Sequence, residues 1–159
     1  MKIRTLDDAK ALLSRASIHL NVGLTGKEIA ATRSIYHFPS TAGSFAAGLD
    51  AYRASLANGG NCIAFASAVG CTRTPPTAAE PVIALVLDPD AERTGEPFVV
   101  IGTKAPVARS VTYTCGGRTY PATISGDVVT FTAPSSSLRA DDCTQNVTLA
   151  GGKVVSERV

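Results

Sequence analysis

The chain has 159 residues, of which 45% are hydrophobic and 18% are charged, and its formal net charge is +2. This composition is typical of one ordinary globular domain or two very small ones, and it excludes a disordered chain. The charge is too small and too evenly spread to predict a nucleic-acid partner, and no run of eighteen apolar residues is present to form a transmembrane segment.

Apolar residues at helical spacing occur throughout the first 71 residues. Thr5 precedes a stripe formed by Leu6, Ala9, Leu13 and Ala16, with acidic residues in its first turn. The segment 25–28, Thr-Gly-Lys-Glu, fits a capping box, and the helix that it opens should end before Pro39. We therefore predict that the chain begins with two helices.

A third apolar stripe predicts the clearest helix of this region. Its residues recur at i, i+4, i+7 and i+11: Phe45, Leu49, Tyr52 and Leu56. Asn58-Gly59-Gly60 should end this helix, and Asn61 can then cap a short helical segment from residue 62 to 69. The whole region 1–71 is thus predicted to be helical.

Prolines mark one boundary, and the hydrophobic period changes after it. Residues 72–81 are proline-rich and are expected to form an extended connector. Residues 82–159 contain about seven short apolar runs separated by turn residues, including Gly116-Gly117 and Gly151-Gly152. Pro121 within one run predicts an edge strand.

The predicted fold class follows from this change of period. We expect an α+β protein in which an N-terminal helical half packs on a C-terminal antiparallel β-sandwich or small barrel. The parts are residues 1–71, the connector 72–81 and residues 82–159, either as separate regions or as one integrated domain. The absence of tryptophan argues against an antibody-type domain, which packs its disulfide on one.

Four cysteines lie in two neighbourhoods of the sequence. The spacings Cys-x8-Cys and Cys-x27-Cys match no common zinc pattern, and three disulfide pairings are possible. Two local bonds, Cys62 with Cys71 and Cys115 with Cys143, are the favoured interpretation, and buried free thiols are the alternative. Because persistent disulfides belong to oxidising compartments, the predicted location is extracellular, at the cell surface or in a virion.

One cysteine also suggests catalysis. The string from Gly60 to Phe65, Gly-Asn-Cys-Ile-Ala-Phe, resembles the start of the cysteine helix of papain-like proteases. That resemblance implies Cys62 as a nucleophile, whose thiolate a helix N-terminus would stabilise. Position 63 is isoleucine where the family has tryptophan, and no histidine follows Cys62, although the family places its histidine downstream. A His-Asp-Cys order with His37 and Asp50 is the alternative catalytic set.

Metal and cofactor signatures are weak. Residues 88–92, Asp-Pro-Asp-Ala-Glu, have alternating carboxylates like the start of a calcium loop. The required glycine is replaced by Arg93, and the position of the bidentate glutamate is Val99. We therefore predict an exposed acidic hairpin tip, no metal site and no cofactor.

These observations favour a non-enzymatic structural or interaction protein of an extracellular or virion assembly, stabilised by disulfides. Its expected partners are proteins, through self-assembly or within a larger particle. Two alternatives stay open. One is a small cysteine hydrolase that uses Cys62 with His37, and the other is a secreted ligand-binding domain with a pocket between the helical region and the sheet.

Overall fold

The structure, a computed structural model, describes residues 2–20, 22–40, 45–88 and 95–159. Of these residues, 44% lie in strands and 15% in helices, and the strands form three antiparallel sheets. The predicted α+β class with an N-terminal helical half is therefore wrong, because residues 33–72 contain a four-stranded sheet. The chain divides into two compact units after Pro75.

The first unit places a helix against an antiparallel meander. Its sheet has the order β1-β2-β3-β4. Among the described residues, no helix has the length and apolar character needed to cross a membrane. The elements are α1 (Leu6–His19), α2 (Gly26–Ala30), β1 (Arg33–His37), β2 (Asp50–Ser55), β3 (Asn61–Phe65) and β4 (Ala68–Thr72). The core between α1 and the sheet contains Ile3, Ala9, Leu13, Tyr52, Ala54, Cys62 and Ala64.

Both helices begin with a capping box, so the start predicted at Thr25 is confirmed. The Thr5 and Thr25 hydroxyls accept hydrogen bonds from the backbone N–H groups of Asp8 and Glu28, whose carboxylates accept from the threonine N–H groups in return. Each reciprocal pair satisfies two backbone donors that a helix end leaves free. The second helix stops at Ala30, however, since the next residues pair with β2.

The helices predicted over 45–56 and 62–69 are wrong, because these residues contribute to β2, β3 and β4. For residues 62–69, the geometry of the cysteines gives the physical reason. A helix rises about 1.5 Å per residue, so it would hold Cys62 and Cys71 about 13 Å apart. A disulfide requires Cα atoms within about 7 Å. In the β3–β4 pair the two cysteines lie directly opposite each other, with a Cα–Cα distance of 4.0 Å.

The second unit contains two four-stranded antiparallel sheets. One has the order β5-β6-β10-β9, and the other has the order β12-β11-β7-β8. Their strands are β5 (Val82–Leu87), β6 (Val99–Lys104), β7 (Ala108–Cys115), β8 (Arg118–Pro121), β9 (Thr123–Ser125), β10 (Val128–Thr132), β11 (Cys143–Leu149) and β12 (Val154–Arg158). A 3-10 helix over Ala140–Asp142 precedes β11.

These two sheets share one hydrophobic core. The ring of Tyr113 on β7 stacks on the ring of Phe131 on β10, with 4.5 Å between centroids. Buried residues of both sheets surround this pair, among them Val82, Phe98, Val100, Val111, Val129 and Val147. The strand order and pairing match an immunoglobulin-type sandwich, with the sheets ABED and GFCC′. This likeness describes architecture and assigns no function.

Turn chemistry determines the hairpins of this unit. Gly116 and Gly117 both have positive φ, 58° and 81°, which the two-residue turn between β7 and β8 requires. The predicted hairpin at this Gly-Gly pair is confirmed. Strand β8, which ends at Pro121, lies at a sheet edge as its proline predicts.

Candidate functional site

Cys62, the candidate nucleophile, is fully buried and bonded to Cys71. It lies in the middle of a sheet rather than at a helix N-terminus, because residues 61–65 form β3. A sulfur atom in a disulfide has no thiolate to attack a substrate. The structure therefore places Cys62 in a cross-link between neighbouring strands.

His37 and Asp50, the other two members of the candidate catalytic set, do form a pair. They face each other on β1 and β2, and 2.5 Å separates His37 Nδ1 from Asp50 Oδ1. An ionised carboxylate only accepts hydrogen bonds, so Nδ1 carries the proton. The Ser34 hydroxyl donates to the other carboxylate oxygen at 2.8 Å. The pKa of Asp50 is lowered, and the hydrogen bond from His37 is the largest cause. Burial opposes this effect, and the hydrogen bond from Ser34 adds a smaller lowering.

This pair lies far from Cys62. Cys62 is opposite Ala54, which is four residues beyond Asp50 along β2. At about 3.4 Å per residue this places the cysteine about 13 Å along the strand from the pair. The His37 side chain is also 64% exposed, whereas Cys62 is buried. The three predicted residues do not converge on one catalytic centre.

The second disulfide joins Cys115 at the end of β7 to Cys143 at the start of β11. The two residues are directly opposite each other, with Cα atoms 4.4 Å apart. Both cysteines are buried in the hydrophobic core of the second unit, so the disulfide contributes to core packing and also cross-links the two strands. All four cysteines of the chain are bonded in this way, and none is free.

A buried polar pair lies two residues along both strands from this disulfide. The Tyr113 hydroxyl donates to Gln145 Oε1 at 2.8 Å, and both residues are buried. Burial raises the pKa of the Tyr113 hydroxyl far above its usual range. Neither residue was singled out from the sequence as part of a hydrogen-bonded pair, although the period-two pattern places both side chains on the inward face.

A surface depression of ≈ 390 Å³ adjoins α2 and the end of β2. Its lining residues are Thr25, Lys27, Glu28, Ala31, Ser55, Leu56 and Ala57. The Glu28 carboxylate at this site already accepts backbone hydrogen bonds from Thr25 and Ala57, which lower its pKa. This polar group is therefore engaged in holding α2 against the chain that follows β2.

No group of three or more histidine, cysteine, aspartate or glutamate side chains that could hold a metal ion occurs among the described residues. The acidic hairpin tip predicted at residues 88–92 lies largely outside the described part of the chain, which resumes at residue 95. Asp88, its first residue, accepts a hydrogen bond from the Ala140 N–H at 3.1 Å. That contact gives Asp88 a structural partner in the second unit.

Hydroxyl and amide side chains cross one face of the β12-β11-β7-β8 sheet. The Ser156 hydroxyl donates to Asn146, whose amide nitrogen donates to Thr114 at 3.0 Å and more weakly to Thr112. The Thr114 and Thr119 hydroxyls are 3.0 Å apart. These contacts link all four strands and keep the outward face of the sheet polar.

The sheet edges differ in how they are protected from pairing with another chain. Natural edge strands use charge, proline, bulges or short length for this purpose. Strand β1 has Arg33 and a bulge, β8 has Pro121, β9 has three residues and β12 has Glu157. Strands β4 and β5 contain no charge, proline or bulge, and β5 is the longest of these edges and consists of aliphatic residues alone.

Comparisons with protein-family models, with curated proteins and with solved structures give no match to this chain.

Proposed function

We propose that this chain is a non-enzymatic structural or interaction protein of an extracellular or virion assembly. The observation that carries the proposal is that both disulfides cross-link directly opposite residues of antiparallel strands and use every cysteine of the chain. Disulfides persist in oxidising compartments and stabilise small domains there. The bonds are thus compatible with an extracellular location.

The arrangement of polar and ionisable groups supports a role without catalysis. Cys62 forms a disulfide and has no free thiol, and it lies opposite Ala54 rather than next to the exposed pair of His37 and Asp50. Ser34 donates to the carboxylate rather than to the imidazole, which is not the contact that activates a serine nucleophile. We therefore assign these contacts to the stability of the β1–β2 pair.

The surfaces of the second unit support a role in binding other proteins. A four-strand polar face and an unprotected apolar edge belong to the same sandwich. Sheet edges bind partners by adding a strand, and flat faces bind by complementary side chains. The expected partners are therefore proteins, including further copies of this chain.

The proposal is tested by trapping thiols in the organism that encodes the chain. Cells and culture medium are treated with iodoacetamide before lysis, separated into cytosolic, surface and released-particle fractions, and analysed by intact mass. We expect the protein outside the cytosol with no cysteine labelled, and four labels after reduction and unfolding. Recovery from the cytosol with free thiols would refute the proposal. Rapid labelling of Cys62 alone would favour the cysteine hydrolase instead.

A further inference from the structure

Strand β5 presents a free backbone edge at one side of the β5-β6-β10-β9 sheet. The carbonyl of Pro81 accepts a hydrogen bond from the Ala105 N–H at 2.7 Å, so position 81 points towards β6. Because backbone groups alternate along a strand, the N–H and C=O groups of Val82, Ala84 and Val86 point away from β6. Among the described residues, nothing hydrogen-bonds to these outward groups.

The side chains of this strand suit pairing with another apolar strand. All six residues of Val82–Leu87 are aliphatic, and Ala84 at the middle of the edge is exposed. Ile83 and Leu85 are only partly buried and lie on one face of the strand. No charged side chain is present to repel a like strand, in contrast to the edges formed by β1, β8 and β12.

From this edge we infer that the chain forms a twofold-symmetric dimer in which β5 pairs antiparallel with β5 of a second copy. The inference rests on the proposed structural role and names its partner. The outward groups require residues 82, 84 and 86 to face one another across the junction, and all three are paired when Ala84 faces Ala84 of the other copy while Val82 faces Val86. This pairing makes roughly six backbone hydrogen bonds. The two copies then share one continuous eight-stranded sheet.

The twofold arrangement also accounts for the side chains on both faces. Across the junction, Ile83 of each copy lies opposite Leu85 of the other, so four aliphatic side chains form one apolar strip. Ala84 at the axis is small enough to face its own copy without a clash. Because the contact is isologous, it closes on itself after two copies and leaves no β5 edge free for further addition.

A proline at position 84 tests this interface without disturbing the pairing of β5 with β6. In Ala84→Pro the lost N–H is an outward one, so the ladder to β6 stays intact while the dimer contact is blocked. The matched control is Val154→Pro on β12. The Lys153 carbonyl accepts from the Leu149 N–H, so the Val154 N–H also points outward, but at a different edge.

The mass of each purified protein is measured by size-exclusion chromatography with light scattering over a range of concentrations. Unsubstituted protein and Val154→Pro should reach twice the 16.3 kDa mass of the chain, and Ala84→Pro should stay at 16.3 kDa. Circular dichroism melts show whether each variant is folded. An unsubstituted protein that stays monomeric, or a folded Ala84→Pro that still dimerises, would overturn the inference. Open-ended fibres would also overturn it, since the proposed contact closes.

Opposite charges at the axis provide the test that does not depend on proline. Ala84→Lys and Ala84→Glu should each weaken the dimer by up to about fivefold, because like charges then face each other. An equimolar mixture should dimerise again, because lysine faces glutamate across the axis. Failure of the folded variants to recombine would contradict this register. The thiol-trapping result does not depend on dimerisation, so failure here leaves the proposed function itself standing.

Discussion

Removal of the Cys115–Cys143 bond should destabilise the second unit more than removal of Cys62–Cys71 destabilises the first. The bonds close loops with sequence separations of 28 and 9 residues. The chain-entropy relation then gives about 3.6 kcal/mol for the longer loop and about 2.6 kcal/mol for the shorter one. For a unit the size of residues 76–159, the first value corresponds to a fall in Tm of roughly 15–30 °C.

The double substitutions Cys115→Ala with Cys143→Ala and Cys62→Ala with Cys71→Ala separate the two contributions. Denaturant unfolding gives each free energy, and hydrogen exchange of the β7 and β11 amides locates the loss in the second unit. Protection should fall there in the first variant and in β3 and β4 in the second. A loss below about 1 kcal/mol for the 115–143 variant would refute the reasoning, because it would mean that the unfolded chain gains little freedom from the broken bond.

Three further changes test single contacts. Gly102→Ala should lower the free energy of unfolding by more than about 2 kcal/mol, because a Cβ there would lie 2.5 Å from the carbonyl oxygen of Ile83. An unchanged midpoint in chemical denaturation would contradict that close approach. Tyr113→Phe should cost about 1–2 kcal/mol by leaving Gln145 without its buried donor, and equal stability of the two proteins would contradict the bond. Burial raises the pKa of Tyr113, so the free energy of unfolding should be constant below pH ~10 and should fall as pH rises further, because the unfolded chain then loses the phenol proton first. A series of melts at increasing pH measures this fall. Asp50→Asn should cost less than about 1 kcal/mol of unfolding free energy near neutral pH, because the lowered pKa of Asp50 stabilises the fold fully above its unfolded value of ~3.9. This difference should shrink as pH falls through the lower folded pKa, and a difference that is unchanged between pH ~7 and pH ~2 would refute this cause.

Local turn and cap signals predicted parts of the chain well. The capping box at Thr25 and the Gly116-Gly117 turn both depend on groups within four residues, and both are present. The local pairing favoured for the cysteines is also the pairing in the structure. Such features can be predicted because neighbouring residues alone determine their geometry.

Helical spacing gave the wrong structure for residues 45–56. In the structure, Tyr52 and Ala54 face α1 from one side of β2, which is a period-two pattern. The apolar stripe lies within alanine-rich sequence, and because alanines fit either period, the pairing of the strands decides which structure forms. For residues 62–69, the requirement that Cys62 and Cys71 approach within disulfide distance already favoured a hairpin over a helix.

The candidate site was harder to predict than the turns. His37 and Asp50 were considered together, and they do meet, but only because β1 and β2 pair in one particular alignment. That alignment depends on strands that the helical interpretation omitted. The edge position of β5 could not be predicted from the sequence either. An apolar run of six residues is typical of a buried strand, and only the order of strands in the sheet shows that this one lies at an edge.

The bond between Cys115 and Cys143 has a mechanical consequence. If the second unit is pulled from Pro76 and Val159, the force passes from β7 to β11 through the sulfur atoms and bypasses residues 116–142. At about 3.3–3.6 Å per residue, this loop contains roughly 90 Å of chain that cannot extend while the bond is intact. Strands β8, β9 and β10 therefore add nothing to the extended length of the stretched unit, and a reductant would release that length in one step.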